Sequence, residues 1–320
     1  MTNLQALLAA GLPELKFEFD KLLAPQTYFK IGGPAEAYIS LDKPEKIAEL
    51  KQFCEKNQLR LTILGGASNV IVSDKGVAGV VLNINITDIE DTGETADGYH
   101  FVQAGAGIKT ALLVSQTVAM GYTGLEYFLG VPGTLGGAVY NNSHYLSDLM
   151  GEHISRVQII DESYQLVWLD KAACKFAYDY SRFHETSEII LRVEFALKPG
   201  NKEESQAKIR EATEYRAKTQ PLGPPSSGCI FRNTPNNDKL RQMFPQFAER
   251  THVPSGFLID QAGLKGERIG NIEVSQKHAA WMINHGQGKS EDVLALIKKV
   301  KETIKNKYDV ELEEEVFFLD

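Results

Sequence analysis

The chain has 320 residues, enough for about two domains at roughly 100–200 residues each, and so for a sizeable core with a cleft that suits a cofactor. Its formal net charge of −8, with no run of Lys and Arg, argues against general nucleic-acid or anionic-membrane binding, although local positive groups can still hold a small anion. No apolar run approaches the ~20 residues of a membrane span and the N-terminus shows no basic leader or cleavage site, so the chain reads as soluble and cytoplasmic.

In chain order, 35–41 predicts a strand and 44–57 a helix whose Ile47, Leu50, Phe53 and Cys54 share one apolar face. Strands are expected over 59–64, ending in Gly65 and Gly66, over 77–84 and over 99–103, the last running into a Gly105-Ala-Gly107 turn and a helix over 109–120. Further strands fit 154–161, 165–168 and 188–197, after which Pro199-Gly-Asn-Lys202 marks a turn and the expected domain boundary. Helices follow over 203–218 and 290–307, the second capped by Ser290, with Glu291 and Asp292 in its first turn and Val293, Leu296, Ile297, Val300 and Ile304 as its buried stripe. Alternating periods of two and about 3.6 residues make this an α/β (α+β) chain. Cys54, Cys174 and Cys229 lie far apart without ligand spacing, so neither a disulfide framework nor a metal site is expected.

Two glycine-rich segments carry the first chemical signal. Leu129-Gly-Val-Pro-Gly-Thr-Leu-Gly-Gly-Ala138 places four glycines around a proline, a loop whose backbone amides can converge on a pyrophosphate. Leu64-Gly-Gly-Ala-Ser-Asn69 follows a strand and adds small residues and two polar side chains, so the pair suggests a dinucleotide. Gly105-Ala-Gly107-Ile-Lys-Thr110 lacks the third glycine of a Rossmann turn, which disfavours nicotinamide binding by that route. Gly286-Gln-Gly-Lys-Ser290 imitates the end of a P-loop, but the first glycine would have to fall at Ile283, so it reads as a loop before a helix.

These segments form part of an ordered set: Lys30-Ile-Gly-Gly-Pro-Ala35, Leu64 to Asn69, Gly124-Leu-Glu126 with Gly130 to Ala138, Ser227-Gly-Cys-Ile-Phe-Arg-Asn233, Ala262-Gly-Leu-Lys-Gly266, Val274-Ser-Gln-Lys-His-Ala279 and Leu312-Glu-Glu-Glu-Val316. The set resembles the UDP-N-acetylenolpyruvoylglucosamine reductase (UDP-N-acetylmuramate dehydrogenase) family, in its shorter second form, over nearly the whole chain. The resemblance implies an FAD-binding domain of the vanillyl-alcohol-oxidase (PCMH) type over 1–200, built of two subdomains split near 85–95. A smaller α/β substrate-binding domain over 201–307 and a tail over 308–320 returning to the active site would follow. It implies non-covalent FAD, NADPH as hydride donor, and reduction of the enolpyruvyl ether at C3 with a proton delivered to C2, giving UDP-N-acetylmuramate for peptidoglycan synthesis. A nucleotide-sugar substrate is expected, with no metal, nucleic acid, membrane insertion or obligate protein partner.

Residue by residue, the resemblance implies Cys229 as proton donor where many relatives carry serine. A thiol of reference pKa ~8.5 is protonated near pH 7 and can reload between turnovers. Glu315 is implied as the tail carboxylate beside the enolate, with Glu313 and Glu314 in solvent. The family segment Phe-x-Tyr-Arg-x-Ser-x-Phe reads here Phe176-Ala-Tyr-Asp-Tyr-Ser-Arg-Phe183, so Asp179 stands where arginine is expected, and a helical turn would let Arg182 replace it. Cofactor contacts are implied for Gly65, Gly66, Ala67, Ser68 and Asn69, for Gly130, Pro132, Gly133, Thr134, Gly136, Gly137, Ala138 and Val139, and for Arg216, with Lys30 a weaker candidate. Substrate contacts are implied for Tyr178, Arg232, Asn233 and Lys265, while His278 reads as a core or loop histidine. Two alternatives stay open: an oxidase of the same flavin fold, or a relative that binds FAD and nucleotide sugar without catalysis, motivated by Asp179.

Overall fold

Alternating apolar residues over Pro34–Leu41 and a nearly unbroken apolar run over Val77–Ile84 make the central strands of a four-stranded sheet. Its order is Glu18–Leu22, Pro34–Leu41, Val77–Ile84, Leu61–Ile63, the last pair parallel. The coordinates are a computed structural model that describes residues 2–320. The N-terminal apolar stretch, for which no element was expected, forms the helix Asn3–Gly11, started by a reciprocal capping box between Thr2 and Gln5. The helix Pro44–Lys56 buries Ile47, Leu50 and Cys54 as its pattern predicts, but Lys51 takes the buried place expected of Phe53, its Nζ 2.7 Å from Glu55 Oε1.

Between Ile84 and Ile89 the chain passes to a second, antiparallel sheet. Its order is Leu166–Asp170, Ile154–Ile160, Ile189–Pro199, His100–Gly105, Ile89–Glu94. One apolar core serves both sheets, the helix Thr110–Ala119 and the short helix Leu135–Tyr140. This first unit holds Ala35–Gly66 and Ala78–Arg216 together with the N-terminal helix.

The boundary differs from the one read at Pro199 to Lys202. Asn201 caps the helix Lys202–Thr219, its Oδ1 accepting the Glu203 and Glu204 N–H groups at 2.9 and 3.1 Å, so the turn marks a helix start. That helix stays with the first unit because Ser205, Lys208 and Arg216 are bonded to the segment 126–130. The change of unit falls between Arg216 and Ala217.

The second unit comprises Leu22–Pro34, Ala67–Val77 and Ala217–Asp320, so two early segments join it, not only the C-terminal third. The physical reasons are local. Phe317–Leu319 pairs in parallel with Val70–Val72, and the buried Asn284 donates from Nδ2 to the Phe29 carbonyl at 2.9 Å while its Oδ1 accepts from Gly286 and Gly288. The helix Ser290–Tyr308 buries Val293, Leu296, Ile297, Val300 and Ile304, as read from its stripe. A three-stranded antiparallel sheet, Arg268–Ile269, Ile272–Val274 and Met282–Asn284, shares its core. No helix among the described residues is long and apolar enough to cross a membrane.

The start of that long helix corrects the expected cap. Lys289 holds the capping position and Ser290 is already helical; both its N–H and its hydroxyl donate to Asp74 Oδ2 at 2.8 Å, and the Asp74 N–H donates back to Ser290 Oγ at 3.0 Å. A carboxylate far away in sequence thus satisfies the helix N-terminus and complements its dipole. Asp74→Ala is expected to destabilise the protein by about 1–2 kcal/mol and Asp74→Asn by less. Thermal unfolding checks this; equal melting of wild type and Asp74→Ala would remove the capping role.

Candidate active site

The first group of candidate residues lies in the first unit. Leu64 is fixed by its N–H to the Leu82 carbonyl and by Asn83 Nδ2 to its own carbonyl, both at 2.9 Å, which sends Gly65 and Gly66 off the sheet. They run directly against the second glycine-rich loop. A Cβ at position 66 would overlap Gly133 and stand 2.9 Å from the Thr134 nitrogen; one at position 65 would stand 2.7 Å from Thr134 Oγ1. Gly133 has φ +104°, a conformation open to glycine, and Gly136 packs on Ala106 with its N–H to the Ala106 carbonyl at 2.8 Å. The Gly105-Ala-Gly107 turn is therefore a backstop to the loop. A Cβ at Gly137 would meet nothing nearer than 3.8 Å, so the exposed side of the loop is open. Pro132 and Gly137 face outward, whereas the side chains of Ala138 and Val139 are core.

Arg216 secures one end of this loop by donating from Nη1 to the Gly130 carbonyl. Its guanidinium lies 5.5 Å from the centre of the Tyr145 ring, which stacks on Tyr127 at 5.6 Å. Ala67, Ser68 and Asn69 belong to the second unit. There Ala67 adopts φ +51° and accepts from the Tyr28 N–H, while Asn69 Nδ2 donates to the Glu315 carbonyl at 3.1 Å. Lys30 donates from Nζ to the Pro25 carbonyl at 2.8 Å.

The second group lies wholly in the second unit. Cys229 bridges Trp281 in antiparallel fashion, and Ile230 donates its N–H to the Ala280 carbonyl at 2.8 Å. From the other side Glu315 donates its N–H to the Ile230 carbonyl at 2.8 Å, and Arg232 donates its N–H to the Glu313 carbonyl at 3.0 Å. The segment 229–232 is thus held by backbone bonds between 280–281 on one side and the tail on the other, with the Glu315 backbone bonded at Ile230, next to Cys229. The Cys229 and Glu315 side chains are half-buried. Burial pushes the thiols of Cys54 and Cys174 up to about 11, so those two are inert core groups at neutral pH. Glu313 is exposed as expected, but Glu314 is partly covered and pairs with Lys301 at 2.8 Å.

Asn233 Oδ1 accepts the Ser255 N–H at 3.3 Å, at the start of the helix Ser255–Gln261, and Lys265 pairs with Asp260 at 2.7 Å. Burial, reinforced by the nearby Lys265 ammonium, lowers the His278 pKa, and its Nδ1 accepts the Ala280 N–H at 3.3 Å. His278 is a neutral loop histidine that helps shape the turn leading to Trp281.

Arg182 requires a correction. No helical turn joins position 179 to position 182: Ala177 and Tyr180 close a tight turn with Tyr178 exposed at its tip and Asp179 at φ +50°, and the 3-10 turn Arg182–His184 begins afterwards. The Arg182 guanidinium donates to Glu188 Oε1 at 2.9 Å and to the Ala173 carbonyl at 3.3 Å. A carboxylate as enclosed as that of Glu188, 6 % exposed, is costly without a cation, and this recruits the arginine. Asp179 is itself buried, its Oδ1 3.1 Å from His144 Nδ1, while the His144 ring packs 4.8 Å from that of Tyr178. Asn142 braces the same turn, donating from Nδ2 to the Ala177 carbonyl at 2.6 Å and accepting the Gly151 N–H at 2.7 Å. His144 and Asn142 thus hold the turn that carries Asp179. Two roles escaped sequence reasoning: His144 as the partner of Asp179, and Glu126, for which an acid inside the apolar run from Leu125 to Leu129 was the signal.

The chain matches the family described as FAD binding domain over residues 35–170, and that described as UDP-N-acetylenolpyruvoylglucosamine reductase, C-terminal domain, over residues 220–319. It is 34% identical to UDP-N-acetylenolpyruvoylglucosamine reductase 2 of Bacillus cereus over 317 residues, covering 99% of this chain and 97% of the relative. It is also 34% identical to UDP-N-acetylenolpyruvoylglucosamine reductase of Staphylococcus aureus over 307 residues, covering 95% and 92%. The crystal structure of UDP-N-acetylenolpyruvylglucosamine reductase from Thermus caldophilus superposes with a TM-score of 0.75 at 28% identity, covering 96% of this chain and all of that one.

Two outcomes follow from the geometry. Gly66→Val is expected to abolish FAD retention, read from the visible spectrum of the purified protein, with circular dichroism unchanged; a yellow Gly66→Val protein would show that the two loops need not touch. Arg182→Leu is expected to cost about 2–4 kcal/mol of stability by stranding Glu188, with turnover of the folded fraction within a few-fold of wild type. Near-wild-type melting with turnover lost by orders of magnitude would return Arg182 to the chemistry.

Proposed function

The chain belongs to the UDP-N-acetylenolpyruvoylglucosamine reductase family, and from this premise we propose that Cys229 and Glu315 carry the proton chemistry of its reaction. It is an FAD-dependent oxidoreductase acting on UDP-N-acetylenolpyruvoylglucosamine in peptidoglycan precursor synthesis, with NADPH as donor. The contact of Gly65 and Gly66 with Gly133 and Thr134, beside the open side of Gly137, fits a pyrophosphate that needs close backbone approach. FAD, when bound, relays the hydride of NADPH to C3 of the enolpyruvyl group.

The chain's own residues do the rest. Amides of the Gly130 to Gly137 loop other than those of Val131, Leu135 and Gly136, which are bonded within the protein, hold the pyrophosphate, and Arg216 fixes Gly130. Hydride addition at C3 pushes the double-bond electron pair onto C2 and the adjacent carboxylate. The Cys229 Sγ–H bond breaks, the proton goes to C2, and the thiolate regains a proton from solvent. Glu315 orients that exchange and Arg232, three residues beyond Cys229, offers a guanidinium to the anionic substrate, with Asn233 and Lys265 of the same unit adding contacts. The substrate is a nucleotide sugar made for cell-wall assembly, which supports a cytoplasmic reaction.

The observation that supports this reading is the Glu315 N–H donated to the Ile230 carbonyl, which holds the tail backbone against the cysteine segment. The test is anaerobic: NADPH should bleach the flavin and UDP-N-acetylenolpyruvoylglucosamine should restore its colour. Cys229→Ala should leave bleaching unchanged and slow recolouring about 100- to 10,000-fold, with Cys229→Ser retaining most of the rate. Wild-type recolouring in Cys229→Ala would assign the proton elsewhere, and bleaching by an alcohol alone would mean an oxidase.

A further inference from the structure

Glu126 has no part in the chemistry above, yet it is bonded as few carboxylates are. It is 2 % exposed, flanked by the core residues Leu125 and Phe128, in the 3-10 turn Glu126–Gly130 that leads into the glycine-rich loop. Burial by itself raises its pKa, but hydrogen bonds from the Thr123 and Ser205 hydroxyls and from backbone N–H groups, Gly124 among them, outweigh burial and bring it down to about 2. The Gly124 N–H and the Ser205 hydroxyl each lie at 2.7 Å, and Lys208 Nζ stands 3.5 Å away. The other titratable ring nearby, His153 behind Gly124, is itself paired with Asp148 at 2.7 Å.

Ser205 and Lys208 sit near the start of the helix Lys202–Thr219, and Arg216, which holds the Gly130 carbonyl, sits near its end. From Ser205 to Arg216 the helix rises about 16 Å, against about 8 Å for the 3-10 turn from Glu126 to Gly130. Helical side chains lean toward the N-terminus, so the long Arg216 side chain reaches back over the difference. One helix therefore grips both ends of one turn.

We propose that Glu126 is a positioning residue for FAD: by fixing the 126–130 turn to the helix Lys202–Thr219 it sets the conformation of the glycine-rich loop and so the affinity for the flavin pyrophosphate. The inference rests on FAD binding at that loop. Glu126 touches neither substrate nor reacting atoms, so its loss acts on cofactor affinity and leaves the substrate KM of FAD-saturated enzyme alone.

The experiment measures FAD dissociation constants of the apoprotein by quenching of flavin fluorescence at neutral pH, with melting of the apoprotein in parallel. Glu126→Gln should weaken FAD about 10- to 100-fold, Ser205→Ala by less, and saturating FAD should restore a substrate KM within twofold of wild type. A merely structural glutamate would lower the melting temperature without moving the FAD constant; that result, or wild-type FAD affinity in Glu126→Gln, overturns the proposal. Should Glu126→Gln fail to fold, Ser205→Ala and Lys208→Ala decide, and unchanged FAD affinity in both overturns it as well. Failure of the wild-type protein to bind FAD would defeat the cofactor assignment instead.

Discussion

The absence of a side chain at position 66 is the constraint on which the cofactor region depends. A methyl group there would overlap Gly133, so the two glycine-rich loops meet backbone to backbone only because neither carries a Cβ at the contact. Around that contact the structure invests in rigidity. Leu64 is tied at both its N–H and its carbonyl, Gly136 is tied to Ala106, and the 126–130 turn is held at each end by the helix Lys202–Thr219. A loop already held in one conformation spends less binding energy on ordering itself when it takes the ligand proposed for it.

The second unit solves a different problem, holding the C-terminal tail against a segment about 86 positions earlier in the chain, around Cys229. It does so chiefly with backbone bonds. The tail lies along 230–232 on one side and continues as a strand parallel to Val70–Val72, while Asn69 anchors it from Nδ2. Main-chain bonds thus hold both segments in register whatever side chain stands at 229.

Asp179 shows how a departure from a family pattern is absorbed. A buried carboxylate without a partner costs several kcal/mol, on the order of 1–3 or more for the lost hydrogen bonding alone, and His144 supplies the partner across the turn that Asn142 braces. Arg182, the nearest guanidinium in sequence, answers the same demand from Glu188. Satisfaction of enclosed acids, not proximity along the chain, decides which partners these side chains take.

Periodicity alone was enough for the helices and strands that bury a stripe or a face: the stripe of Ser290–Tyr308, the helix Pro44–Lys56 and the long strand Ile189–Pro199 all stand where their residues put them. The glycine spacing and the cysteine segment likewise marked the candidate site, because positive φ, close approach and thiol chemistry are properties of residue type. What the sequence could not decide are the partnerships between residues remote in the chain. Asp74 capping the helix at Ser290, Ser205 reaching Glu126, His144 facing Asp179, and two early segments joining the second unit depend on which polar groups remain unsatisfied after the cores have packed. A short-range pattern carries no record of that, since the free energy of a buried polar group is set by neighbours that only the tertiary fold brings within 3 Å or so.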